Sequence, residues 1–98
     1  KAAKSTEQAL RYEPNRRQAL VNAARYRLVL GHLTRAENHA ERAVRLFPDK
    51  ASTLTIAALV DIEQQRLQRA QERLEKALQI MPNHAEARAA LASLIGSQ

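Results

Sequence analysis

The sequence predicts an all-α fold, a right-handed α-solenoid of antiparallel helix pairs with about six helices in total. The three prolines, Pro14, Pro48 and Pro82, recur at a fixed interval of 34 residues. Alanines recur at the same interval, in the sets Ala2/Ala36/Ala70, Ala9/Ala43/Ala77 and Ala24/Ala58/Ala92. Helix-favouring residues dominate the 98-residue chain, which has 2 glycines and 3 prolines. Such a period is typical of stacked helical repeats, whose units bury one another's apolar faces.

The prolines predict where helices end, since proline lacks an N–H and bars the preceding residue from helical geometry. Residues of the helix-capping type follow them, namely Asn15, Asp49 and Asn83. New helices are therefore predicted to begin near Arg16, Lys50 and His84. Asn83 also has a glutamate, Glu86, three residues later, which is the spacing of a capping box.

A second helix is predicted inside each unit. In the first unit Gly31 interrupts the helical pattern, and Thr34 with Glu37 has capping-box spacing, so a helix is expected from about Arg35. In the next unit the interruption falls within residues 65–68, which contain no glycine. The aligned alanines are expected where helices cross, because a methyl side chain lets two backbones approach closely.

This pattern resembles the tetratricopeptide repeat (TPR), over the whole of a single predicted domain, residues 1–98. Residues 17–50 fit one full unit, through Leu20, Ala24, Gly31, Ala36, Ala43 and Pro48. Residues 51–84 fit a second, through Leu54, Ala58, Ala70, Leu74, Ala77 and Pro82. Residues 1–16 resemble the second helix of a preceding unit, and residues 85–98 the first helix of a following one. The usual tyrosine of the first helix is replaced by Arg27 and Asp61, and the bulky aromatic of the second helix by Ala40.

The resemblance implies a protein–protein interaction scaffold, in which the first helix of each unit lines a concave groove that holds an extended peptide. The groove positions of the family fall on Gln18, Val21, Asn22, Arg25, Leu28 and Val29, and on Ser52, Thr55, Ile56, Leu59, Ile62 and Glu63. The last helix adds Glu86, Ala89, Ala90 and Ser93.

The predicted groove residues suggest two kinds of contact. Asn22 could pair with a peptide backbone, and Arg25 could hold a carboxylate in a two-bond fork. The apolar members have an equally good alternative interpretation as packing between neighbouring helices. One TPR subtype grips acidic chaperone tails with a clamp of Lys, Arg and Asn. Asn22 matches that clamp, but Ser52 and Ile56 stand where its basic residues belong, which disfavours this ligand.

The net charge of +6 is concentrated in residues 1–50, which hold eleven Lys/Arg and five Asp/Glu. A soluble charged face is the plain interpretation, and electrostatic steering of an acidic partner is the sharper one. Nucleic-acid binding is a disfavoured rival, because only three aromatic residues are available for base stacking. Self-assembly is the remaining alternative, through end helices that lack a neighbour, with Leu91, Leu94 and Ile95 expected where a partner helix would pack.

Catalysis and cofactor binding find no support in the sequence. The chain has no cysteine, and no pair among its three histidines has the i, i+4 spacing of a helical metal site. Two glycines cannot form a glycine-rich phosphate loop. No apolar run approaches the roughly 18 residues of a membrane span. The sequence therefore predicts a non-enzymatic module with no metal and no cofactor, and leaves its compartment open.

Overall fold

The computed structural model describes residues 16–96, and in this range every regular element is an α-helix. The five helices are α1 (Arg16–Val29), α2 (Leu33–Leu46), α3 (Ala51–Glu63), α4 (Leu67–Ile80) and α5 (Ala85–Gly96). This confirms the all-α solenoid. The sixth helix predicted over residues 1–16, and the capping role of Asn15, lie outside the described residues.

The helices pack as two hairpins and one further helix. α1 packs on α2, and α3 on α4, through short turns that make each pair antiparallel. The second helix of one hairpin contacts the first helix of the next, and α5 packs against α4 and α3. The first helices also touch in sequence, α1 on α3 and α3 on α5. α1, α3 and α5 therefore form one layer of the molecule, and α2 and α4 form the other.

The helix starts that follow Pro48 and Pro82 lie within one residue of prediction, at Ala51 and Ala85. α1 is described from Arg16 onward, so the start predicted after Pro14 stays a prediction. The residues predicted to cap α3 and α5 do not cap them. Lys50, and not Asp49, occupies the position before α3, with no side-chain capping bond. Before α5, the Ala87 N–H donates to His84 Nδ1 at 3.2 Å. The predicted capping box of Asn83 is therefore wrong, since His84 caps this helix.

The start of α2 differs from prediction by two residues. It begins at Leu33, so Thr34 lies inside the helix and His32 precedes it without a side-chain capping bond. The Thr34–Glu37 capping box is therefore wrong. Gly31 has φ of 80°, a left-handed conformation that costs glycine little. Gln65 has φ of 66° at the equivalent turn of the second hairpin, and thus adopts an unfavourable conformation for a residue with a Cβ atom.

Two clusters of buried side chains hold the layers together. One joins α1, α2 and α3 around Val21, Ala24, Ile56 and Val60. The other joins α3, α4 and α5 around Leu54, Leu74, Ala87 and Leu94. Alanines at the helix crossings are completely buried, namely Ala24, Ala36, Ala40, Ala43, Ala58, Ala70 and Ala77. Their burial explains most of the 34-residue alanine pattern, because a larger side chain there would overpack the crossing. Ala92, which aligns with Ala24 and Ala58, is exposed on α5, so the crossing expected there is not seen among the described residues.

Candidate partner-binding surface

The predicted groove residues all lie on α1, α3 and α5, but they differ in exposure. Three are buried, Val21, Thr55 and Ile56. Val21 and Ile56 pack in the α1–α2–α3 cluster, so packing accounts for them and they offer no surface to a partner. We define the groove face as the exposed and half-exposed positions, Gln18, Asn22, Arg25, Leu28, Val29, Ser52, Leu59, Ile62, Glu63, Glu86, Ala89, Ala90 and Ser93.

An ion pair crosses the groove face from α1 to α5. Arg25 Nη1 and Nη2 donate to the two carboxylate oxygens of Glu86 at 2.6 and 2.9 Å. Both side chains remain partly exposed, at 44% and 37%. The hydrogen bond from Arg25 holds the pKa of Glu86 below its usual range. The fork that the sequence predicted for a partner's carboxylate is thus occupied by a carboxylate of the chain itself.

Polar contacts also order the α1 side of the groove face. Gln18 Nε2 donates to Asn22 Oδ1 at 3.1 Å, one turn along the exposed face of α1. Arg17 Nη1 donates to Ser52 Oγ at 2.9 Å and so joins α1 to α3. Asn22 is exposed, and its amide group can also donate to a peptide carbonyl.

A mainly aliphatic pocket of about 330 Å³ opens between α3 and α5, where α3 turns into α4. Its lining residues are Leu59, Ile62, Gln65, Leu67, Ala90, Ser93 and Leu94. Four of them, Leu59, Ile62, Ala90 and Ser93, are predicted groove positions. Ala90 lies four residues after Glu86 and therefore on the same face of α5, one turn from the ion pair. The structure thus brings an apolar pocket and a charged pair together on the groove face.

The opposite side of the molecule carries an arginine–carboxylate cluster, formed by Glu37, Glu41, Asp61, Arg66, Arg69 and Arg73. Arg73 donates to both oxygens of Glu41 at 2.8 Å and to Asp61 Oδ2 at 3.1 Å. Asp61 is only 1% exposed, and Arg69 and Arg66 lie at 3.7 and 3.8 Å from its oxygens. Arg66 also pairs with Glu37. Sequence reasoning missed this cluster.

The pKa values of the three carboxylates in this cluster shift in different directions, because burial dominates at Asp61 and hydrogen bonds from arginine dominate at Glu41 and Glu37. Burial raises the pKa of Asp61, although the surrounding arginine charges oppose that rise. The pKa of Glu41 is lowered, mainly by its hydrogen bond to Arg73. The pKa of Glu37 is lowered in the same way by Arg66. Burial therefore disfavours the charged form of Asp61, and the arginines around it favour that form.

Comparison with known families relates part of the chain to a known repeat. Residues 61–94 match the family model described as Tetratricopeptide repeat. Residues 61–94 therefore have the sequence of a tetratricopeptide-repeat unit, within a chain whose helices stack as an α-solenoid. None of the curated proteins matches it in sequence. Among residues 16–96, no TPR helix is long and apolar enough to cross a membrane. The same part of the chain has no group of three or more His, Cys, Asp or Glu placed to hold a metal.

Solved TPR structures resemble the chain closely in shape. The first TPR of Spaghetti (RPAP3), bound to the HSP90 peptide SRMEEVD, superposes with a TM-score of 0.84 at 21% identity and covers 98% of this chain and 76% of that one. Two structures of MamA superpose with TM-scores of 0.79 and 0.77, each at 20% identity and over 98% of this chain. The match spans 56% and 52% of the two MamA chains. At these identities the similarity shows the shared TPR fold.

Proposed function

We propose that this TPR solenoid is a protein-interaction module that binds a segment of a partner protein on the groove face. The observation that carries the proposal is the pairing, on that face, of an aliphatic pocket with ordered polar groups one turn away. Pockets that recognise ligands combine apolar walls with a few placed polar groups in this way. The structurally similar Spaghetti domain has an HSP90 peptide bound, which supports a peptide as the type of ligand.

The charge of the groove face supports a partner that is not strongly acidic. Its charged residues are Arg25, Glu63 and Glu86, and Arg25 is already bonded to Glu86. A partner carboxylate would have to displace Glu86 to reach this arginine. The expected preference for an acidic partner therefore lacks a basic groove to support it, and main-chain and apolar contacts are the stronger basis for recognition.

A displayed library of random peptides, selected on the immobilised chain, tests this proposal. Dissociation constants of the enriched peptides would then be measured by isothermal titration calorimetry for the wild type and two matched variants. Asn22→Lys changes an exposed asparagine on the groove face, and Asn38→Lys makes the same change on α2, away from it. We expect Asn22→Lys to weaken binding about tenfold or more, which corresponds to about 1.4 kcal/mol. We expect Asn38→Lys to leave the affinity within about twofold.

Both variants should keep the wild-type far-UV circular dichroism, because each side chain is exposed. Enriched peptides that bind Asn22→Lys as tightly as the wild type would place the binding surface elsewhere. A selection that enriches no peptide would count against the proposal as well.

Self-association is a second candidate, supported by Ile95, whose side chain on α5 is 52% exposed. Leu94 was expected to share this end surface, but it is buried in the α3–α4–α5 cluster, and Leu91 is only partly exposed. The apolar patch is thus smaller than the sequence suggested. Sedimentation velocity of the wild type and Ile95→Asp over a range of concentrations tests this candidate. A concentration-dependent dimer that Ile95→Asp abolishes would support it, and a monomer throughout would reject it.

A further inference from the structure

The aliphatic pocket exists because the two junctions between first helices differ in side-chain size. The residues 34 positions before Ala90 and Ser93 are Ile56 and Leu59. At the α1–α3 junction Ile56 is fully buried, and Leu59 packs against the same cluster. At the α3–α5 junction the corresponding alanine and serine are shorter, and the space remains open as the pocket. An α3-like sequence in α5 would fill it.

We infer that this pocket receives one aliphatic side chain, of the size of leucine or isoleucine, from the segment that binds the groove face. The inference rests on the proposed function and names the partner chemistry at one point of the groove. Five of the seven lining residues are aliphatic or alanine, so a charged or amide side chain would lose most of its hydration and meet few polar groups in return. The pocket volume of about 330 Å³ is ample for one such side chain.

The neighbouring charges support an aliphatic occupant over an acidic one. Glu86 lies one turn from Ala90, and its negative charge is matched by the two-bond fork from Arg25. The edge of the pocket therefore presents a neutralised pair in place of a free cation. A carboxylate placed here would therefore meet no unpaired positive charge to offset the loss of its hydration.

Giving the α3–α5 junction a side chain of the α1–α3 junction provides a direct test. Ala90→Ile introduces the residue found at the equivalent position of α3, and we expect it to fill the pocket without lowering the melting temperature. It should weaken the library-selected peptides about tenfold or more by excluding their aliphatic side chain. Ala92→Ile makes the same change at an exposed position of α5 outside the pocket and serves as the matched control, with affinity expected within about twofold.

A peptide series tests the same inference without altering the protein. Shortening the inserted side chain from leucine to valine and then to alanine should weaken binding about fourfold for each methylene removed. Carbon-13 methyl spectra should show the peptide shifting the methyl signals of Ile62 and Leu94, and an alanine-substituted peptide should leave them unchanged.

The outcomes separate this inference from the proposed function. Peptides that lose affinity for Asn22→Lys but bind Ala90→Ile like the wild type would overturn the pocket assignment and leave groove binding intact. Peptides indifferent to both variants would overturn both. Should Ala90→Ile lower the melting temperature, the peptide series decides alone, and a change below about twofold on shortening every aliphatic residue to alanine would overturn the inference.

Discussion

Replacing Arg73 by methionine tests whether the arginine–carboxylate cluster contributes to the free energy of unfolding. Arg73 is the cluster's most buried cation, with a side chain 14% exposed, and it binds Glu41 and Asp61 at once. Methionine keeps the length of the aliphatic stem but removes both sets of hydrogen bonds. The substitution therefore leaves Asp61, only 1% exposed, without its closest counter-charge.

The expected cost follows from what remains around Asp61. Removing one partner of a buried ion pair costs about 3–5 kcal/mol, because the other charge stays desolvated. Arg69 and Arg66 still lie at 3.7 and 3.8 Å from the Asp61 carboxylate, so the cost should fall at the low end, about 3 kcal/mol. The double variant Asp61→Leu/Arg73→Met removes both charges, and we expect it to recover most of that loss.

Urea unfolding followed by circular dichroism at 222 nm measures these free energies. The deficit of Arg73→Met relative to the wild type should be largest near pH 7 and should shrink as the pH falls toward about 3. In that range Asp61, whose pKa is raised by burial, becomes neutral, and Glu41, whose pKa is lowered by Arg73, loses the bonds that stabilise the wild type. A deficit below about 1 kcal/mol at pH 7, or a double variant no more stable than Arg73→Met, would refute the reasoning.

Three further predictions concern the turns, the groove ion pair and the last helix. At the positive-φ turns, Gly31→Ala should cost about 1 kcal/mol and Gln65→Gly should gain a similar amount, seen as opposite shifts in melting temperature. Glu86→Gln should lower the melting temperature at pH 7 but not below about pH 4, since a carboxylate with a lowered pKa stabilises the fold above its unfolded pKa and loses this effect as the pH falls through the folded value. On α5, Leu94→Asp should lower the melting temperature far more than Ile95→Asp, because only the first side chain is buried; equal losses would contradict the burial.

The repeat period predicted the fold well because it reflects where helices start and where turns fall along the backbone. Prolines 34 residues apart placed the starts of α3 and α5 within one residue, and Gly31 marked the first turn. The capping predictions failed because a side chain caps only if the chain enters the helix at that residue. Thr34 lies within α2, although its sequence context fits a cap. Gln65 adopts the turn conformation without being glycine, so composition gave little signal there.

The depth of the groove residues could not be predicted from periodicity. α3 contacts helices on several sides, and nine of its thirteen residues are buried. Such a helix shows no single apolar stripe, so the pattern that marks a groove position also marks a core position. Ile56 and Leu59 lie only one turn apart, yet the first is fully buried and the second lines the pocket.

Long-range ion pairs were missed because they depend on which helices stack. Glu37 and Glu41 are four residues apart on α2, and Arg69 and Arg73 are four apart on α4, so each pair shares one helix face. This spacing was a usable signal once two second helices were expected to stack as neighbours. Its value lies in the reach of arginine, since α2 and α4 make no close backbone contact and only long side chains can join them.

Residues that align across the 34-residue period show how one backbone acquires distinct surfaces. Asn22, Ile56 and Ala90 share a position on α1, α3 and α5, yet they form a polar contact, a core contact and a pocket wall. Asp61 stands where the TPR pattern usually has a tyrosine, and its carboxylate is paired with arginines from α4 and from the turn before it. The repeat fixes where each helix lies, and the departures from the repeat decide what each junction can bind. Ile56 and Ala90 differ strongly in size, and the pocket at the junction of α3 and α5 results from that difference.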